Sequence, residues 1–166
     1  FYLTGFRAER CPEVIERLRG SRHELGTHAH FHWHGWRISP LREYRNAMAG
    51  YRTLTGVVAP DAPFRPTFGK ITLPTLLGMW CRGRRVDWWS IPTNDTDDEF
   101  EDPGSLARSI LDRGKTVVLM HCHHDEPHRR AFILATTRAL VEQARERRIE
   151  LVTMAGLTTR LASAES

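Results

Sequence analysis

The sequence lacks most of the features that would assign it to a class at once. It has no uninterrupted apolar run near the roughly 20 residues that span a bilayer, no fixed-period repeat and no low-complexity tract. Three cysteines, Cys11, Cys81 and Cys122, are an odd number at no regular spacing, which argues against a disulfide framework. Methionine is missing from the first position: "FYLTGFRAER" enters directly on apolar residues, as if in mid-strand. The absence of a leader therefore says nothing about compartment. The charge is not extreme either. A net +4, supplied almost wholly by arginine, and a pI near 9.3 tolerate an anionic partner such as wall polymer or nucleic acid without diagnosing one.

What is present suits a soluble globular chain. With 166 residues and 40% hydrophobic content, one domain with a sizeable core is the simplest expectation. The pattern alternates strand and helix. "FYLTG" reads as a strand. "CPEVIERLRG" reads as a helix with Pro12 in its first turn and Val14, Ile15 and Leu18 on one face. "HELGTH" is a second strand. "SPLREYRNAMAGYRTLTG" is an amphipathic helix capped by Ser39, opened by Pro40 and stopped at Gly56, with Leu41, Tyr44, Met48, Tyr51 and Leu54 recurring at helical spacing. The prolines of "DAPFRPTFG" mark a strand end or loop.

The second half repeats the pattern. "LPTLLGMWCRG" predicts a short helix, "RRVDWWSI" a strand, and "DPGSLARSILDRG" a helix capped by Asp102. "KTVVLMH" predicts a strand buried on both faces. A helix over 129–147, a last strand "IELVTM" and a short terminal helix complete the order. Strands alternating with helices imply a parallel α/β sheet or barrel. His28, Arg65, Asp95 and His121 all fall at or just after predicted strands, where such folds gather functional side chains.

The chemistry centres on "GTHAHFHWHG", where His28, His30, His32 and His34 alternate. Histidines at i and i+4 on one helical turn can grip one ion, which suits His28 with His32 or His30 with His34. In an extended segment all four rings would share one face. Periodicity does not choose among these, and a solvated histidine-rich loop is the plain alternative. His121, closing a strand, suits proton donation near neutral pH, or a satisfied core position. His123, His124 and His128 read as rim residues, and nothing marks Cys122 as a nucleophile beyond nearby histidines. Arg65, between an aromatic and a proline, suits orienting a carboxylate. Trp80, Trp88, Trp89 and Phe64 read as core, although one exposed tryptophan would suit stacking on a pyranose.

Together, "FYLTG", "HELGTHAHFH", "FRPTFGK", "VDWWSIPTND" and "VVLMH" resemble, in order and spacing, the polysaccharide deacetylases, the NodB homology domain of carbohydrate esterase family four. The resemblance covers essentially the whole chain, 1–166. It implies a distorted (β/α) barrel with a divalent metal, zinc or cobalt, removing N-acetyl and sometimes O-acetyl groups from chitin-like or peptidoglycan sugars. It places the metal ligands on His28 and His32 and gives His30 and His34 no role. It puts the arginine that orients the catalytic base on Arg65, the supporting aspartate on Asp95, the general acid on His121 and the acetyl-pocket residue on Val118. Trp89 is the candidate for substrate contact.

The implied partner is an N-acylated carbohydrate, not nucleic acid. The sequence departs from the family pattern at Ala29, Trp33 and Pro92. The family's "TFDDG" strand, source of the base and the third ligand, would precede this first residue. The expectation is a truncated domain, its first strand missing, inactive by itself. Two alternatives stay open: a relative acting on a non-polymeric amide, and a non-catalytic metal-binding or glycan-binding remnant.

Overall fold

Residues 1–122 and 126–164 are described by a computed structural model. The chain divides into two compact units, Phe1–Trp88 and Trp89–Ser166.

The first unit is built on short parallel pairing. Strand β1 (Tyr2–Leu3) runs beside β2 (Gly26–Thr27), and single parallel bridges join Thr27 to Phe64 and Phe64 to Val86. The hydrogen bonds are regular: Thr27 N donates to the Pro63 carbonyl, Arg65 N to the Thr27 carbonyl, and Asp87 N to the Phe64 carbonyl, all within 2.8–2.9 Å. His28, Arg65 and Asp87 therefore follow the bridging residues at one edge of this small sheet.

Helices α1 (Gly5–Arg10), α2 (Pro12–Arg19), α3 (Pro40–Thr53) and α4 (Leu73–Trp80) complete the unit. Helix α3 begins as its cap predicts, with Ser39 Oγ accepting from Arg42 N and Pro40 in the first turn, where a missing N–H costs nothing. Its inner face brings Ala47, Tyr51 and Leu54 into a core with Ala29, Phe64 and Met79. Leu41, expected on that face, is exposed. Helix α2 buries no residue fully: Ile15 and Leu18 are half-covered and Val14 faces solvent. Glu43 ties α3 to α4, its Oε2 accepting from Thr72 N at 2.9 Å, from the Thr72 hydroxyl, and from Thr75 Oγ1 at 2.7 Å.

The second unit holds the parallel pair β3 (Ile91–Pro92) and β4 (Val118–Leu119), with α5 (Pro103–Asp112), α6 (Pro127–Glu146) and α7 (Met154–Ala164). Asp102 caps α5, accepting from Ser105 N at 2.9 Å. Ala107, Ile110 and Leu111 of α5 pack with Phe132, Leu140 and Ala144 of α6, and Phe100 stacks on Phe132 with ring centroids 4.3 Å apart.

Three expectations are corrected. "RRVDWWSI" is not one strand: Val86 bridges to Phe64, while Ile91 pairs with Val118 in the second unit, so the segment breaks between the tryptophans. "IELVTM" forms no strand. Ile149, Leu151 and Val152 are exposed, and Ile149 N donates back to the Ala144 carbonyl in the preceding helix. Trp80 and Trp88 are exposed rather than core, whereas Phe64 is buried as expected.

Candidate functional site

In the first unit, segment 28–34 is neither helix nor strand. Ala29 has a left-handed backbone (φ 65°), uncommon for a residue with a Cβ, and this turns the chain out of β2. Asn46 of α3 then pins the loop from within: its Oδ1 accepts from Phe31 N and its Nδ2 donates to the Phe31 carbonyl, both at 2.8 Å. The turn breaks the alternation of the four histidines. His28 and His32 come together, ring centroids 5.0 Å apart. His30 turns inward to Thr53 Oγ1 at 3.1 Å, and His34 Nδ1 accepts from Trp36 N at 3.3 Å.

His28 Nδ1 lies 2.6 Å from the Arg65 carbonyl oxygen. A carbonyl can only accept, so Nδ1 carries the proton and Nε2 keeps its lone pair. This arrangement fits a metal ligand, since a backbone carbonyl on one ring nitrogen fixes the tautomer in which the other bears the coordinating lone pair. His28 and His32 are thus a fitting pair of imidazole donors. Among the described residues, no group of three or more His, Cys, Asp or Glu side chains is placed to hold an ion.

Arg65 is buried beneath this pair. Its guanidinium lies 3.9 Å from the centre of the Tyr2 ring, and Nη2 donates to the Trp88 carbonyl at 3.5 Å. Burial lowers its pKa, while Tyr2 and Asp87 favour the charged form. The Tyr2 hydroxyl donates to Asp87, which Arg85 grips through Nε at 2.6 Å and Nη2 at 2.9 Å. Burial first, then Asp87, drives the Tyr2 phenol well above its ordinary range. The sequence reading named neither Tyr2 nor Asn46; the polar residue inside the apolar strand "FYL" was the available signal for the former.

In the second unit, Asp95 and His121 meet. The carboxylate accepts from His121 N at 2.7 Å and from ring Nδ1 at 3.0 Å, with Thr93 Oγ1 a further donor at 3.2 Å. The proton on Nδ1 leaves Nε2 as the reactive atom of a half-buried ring. Arg129 braces the loop, its Nη1 donating to the carbonyls of Asp95 at 3.2 Å and Asp97 at 2.7 Å. Val118 lies in β4 against the apolar core, and Trp89 is half-buried at the start of the unit. His123 and His124 lie outside the described residues; His128 is exposed, 5.9 Å from Phe100. Cys11, Cys81 and Cys122 are exposed free thiols.

No family model matches the chain. Among curated proteins it is 28% identical, over 125 residues, to a peptidoglycan-N-acetylglucosamine deacetylase of Bacillus cereus, an alignment covering 73% of this chain and 44% of the relative. The chain thus spans less than half of that relative's length. Among solved structures, the peptidoglycan deacetylase PdaC from Bacillus subtilis superposes with a TM-score of 0.79 at 17% identity, covering 99% of this chain and 78% of that one. A family-four carbohydrate esterase pseudoenzyme from Bacillus anthracis superposes at 0.70 with 16% identity, covering 89% and 50%. The fold class expected from the sequence, a distorted barrel of α/β type, is the one these neighbours share with it. The chain is thus similar in sequence to a peptidoglycan deacetylase, and it shares its fold with solved carbohydrate esterases of family four.

Proposed function

We propose that the chain serves metal-dependent hydrolysis of N-acetyl groups on an amino-sugar polymer or oligosaccharide, peptidoglycan being the substrate named for its relatives. The observation that carries this reading is the His28–Arg65 bond, which prepares Nε2 of His28 for an ion beside His32. A divalent ion such as zinc or cobalt, held by these two imidazoles and a carboxylate from outside the described residues, would polarise the acetamide carbonyl and acidify water.

The chain's own residues have distinct tasks. His121 donates a proton from Nε2 to the leaving amine, and Asp95 holds the ring by its Nδ1. Arg65, a buried cation, orients the carboxylate that takes the proton of water. Val118 lines the acetyl pocket and Trp89 meets the sugar.

Cobalt(II) titration followed by visible absorption tests the metal pair. A spectrum that His28→Ala and His32→Ala each abolish, and His30→Ala keeps, is expected; an unchanged spectrum in His28→Ala overturns the pair. Acetate release from N-acetylglucosamine oligomers tests the reaction. The 166-residue chain is expected to be nearly inactive, and the same chain with an added upstream strand carrying two adjacent aspartates is expected to be active. A second reading, a non-catalytic metal or glycan binder, draws on the pseudoenzyme neighbour. It predicts binding with no acetate released by either protein.

A further inference from the structure

Three large aromatic side chains of the first unit stand in solvent: Trp36 is 65% exposed, Phe68, whose ring meets His32 of the candidate metal pair, 50%, and Trp88 42%. They are not loose. The indole N–H of Trp36 donates to the Ile71 carbonyl at 3.1 Å, and that of Trp88 to the Gly69 carbonyl at 3.2 Å. The two acceptors flank Lys70, whose ammonium sits 4.6 Å from the centre of the Trp36 ring. Both tryptophans are therefore fastened by their polar edge to the loop that follows Phe68, and their ring planes are held.

Phe68 has a left-handed backbone, φ 55°, in the short 3₁₀ turn Thr67–Gly69. That conformation costs a phenylalanine energy. Its ring lies 4.5 Å from His32 and 5.2 Å from His34, and His34 lies 6.5 Å from Trp36. With His28 and His32 only 5.0 Å apart, a succession of neighbouring rings leads from the metal pair outward to Trp36.

We propose that Trp36, Phe68 and Trp88 form a stacking strip for the sugar rings flanking the one that is deacetylated. The inference rests on the deacetylase reading for the identity of its occupant, a β-linked N-acetylated glycan. A pyranose presents axial C–H bonds on its faces, and a fixed aromatic plane meets them with little ordering left to pay at binding. The polar rim that a sugar's hydroxyls need is supplied by Lys70 and His34. The strip also accounts for His34, which the metal pair leaves without a task.

The test is calorimetric binding to the 166-residue chain without added metal, so that hydrolysis does not enter. The probes are N-acetylglucosamine and its β-1,4-linked tetramer. The wild-type chain is expected to bind the tetramer more tightly than the monomer. Trp36→Ala and Trp88→Ala are each expected to weaken the tetramer by about tenfold and to leave the monomer unchanged. Trp36→Phe, which keeps a ring, is expected to retain most of the affinity, and far-ultraviolet circular dichroism identifies any variant that is unfolded.

Equal tetramer affinity in wild type and in both folded alanine variants overturns the strip, as does a wild-type chain that does not distinguish tetramer from monomer. Self-association removed by Trp36→Ala with glycan affinity unchanged also overturns it, in favour of a second copy. Failure of the deacetylase reading is separately visible: with metal added, the chain carrying the upstream two-aspartate strand releases no acetate, while the length-dependent binding of the 166-residue chain persists.

Discussion

Asp95 and His121 are joined twice, through the backbone N–H and the ring Nδ1 of the same histidine, across 26 positions of sequence. Asp95 is almost wholly buried, at 1% exposure. Burial by itself would raise its pKa, but the two bonds from His121, that residue's charge and the Thr93 hydroxyl outweigh it, and the carboxyl ends below the ordinary range. The native state therefore gives up this proton more readily than the unfolded chain does. The stabilisation is complete above the unfolded value, near pH 4, and is lost as pH falls through the lower folded one. Urea unfolding between pH 2 and 7 should show wild-type stability falling on the acid side. Asp95→Asn should be less stable at pH 7 and should lack this site's share of the acid loss; parallel curves would refute the linkage.

Gly50 makes a different kind of prediction. It lies in the last turn of α3, and inside a helix glycine costs up to roughly 1 kcal/mol against alanine. A Cβ there would stand 2.6 Å from the Ala29 carbonyl carbon and 2.7 Å from Thr27 Oγ1. Both neighbours are buried and one is backbone, so neither can yield cheaply. Gly50→Ala should therefore destabilise despite its better helix propensity, by about 2 kcal/mol in chemical denaturation. Because Ala29 begins the histidine turn, the cobalt spectrum should shift as well. A gain in stability would show that the helix and the turn are not in contact.

These residues show what could be read in advance. The starts of α3 and α5 were legible because Ser39–Pro40 and Asp102–Pro103 act locally, through one cap bond and one ring. Strands were legible as apolar runs but not in extent, because a run announces burial and not a partner. Only Val118 and Leu119 of "KTVVLMH" pair, and "IELVTM" pairs with nothing described. The histidine alternation left helix and extended chain equally open. The turn at Ala29 decides it, held by Asn46 from another helix, and no local propensity announces a left-handed alanine. The tryptophans were misjudged for a similar reason. Size suggests core, but in Trp88 an indole N–H with the Gly69 carbonyl as acceptor permits exposure; among the described residues no such bond accounts for Trp80.

Thr136 tests the interior of the second unit. It is fully buried on α6, between Phe132 and Leu140 along one face, and its Oγ1 has no hydrogen-bond partner among the described residues. A buried hydroxyl without a partner carries its desolvation cost uncompensated. Thr136→Val keeps the shape and exchanges the hydroxyl for a methyl. The variant should be more stable by about 1 kcal/mol, seen as a higher thermal midpoint. A fall of similar size would mean that the hydroxyl has an acceptor after all.

Glu43 is the opposite case, a buried carboxylate that is well satisfied. It accepts three hydrogen bonds from Thr72 and Thr75, at the start of α4, where the first N–H groups of a helix otherwise lack acceptors. A negative charge at that end is further favoured by the helix dipole. Glu43→Ala removes the acceptor and leaves the Thr72 N–H and the Thr75 hydroxyl facing a void, so the loss should reach about 3 kcal/mol. Glu43→Gln keeps an acceptor but not the charge and should lose less than half as much. Hydrogen exchange separates local from global effects. In Glu43→Ala the amides of Leu73–Trp80 should lose protection first, while those of Pro103–Asp112 in the other unit keep theirs; equal loss in both helices would show that Glu43 does not act through α4.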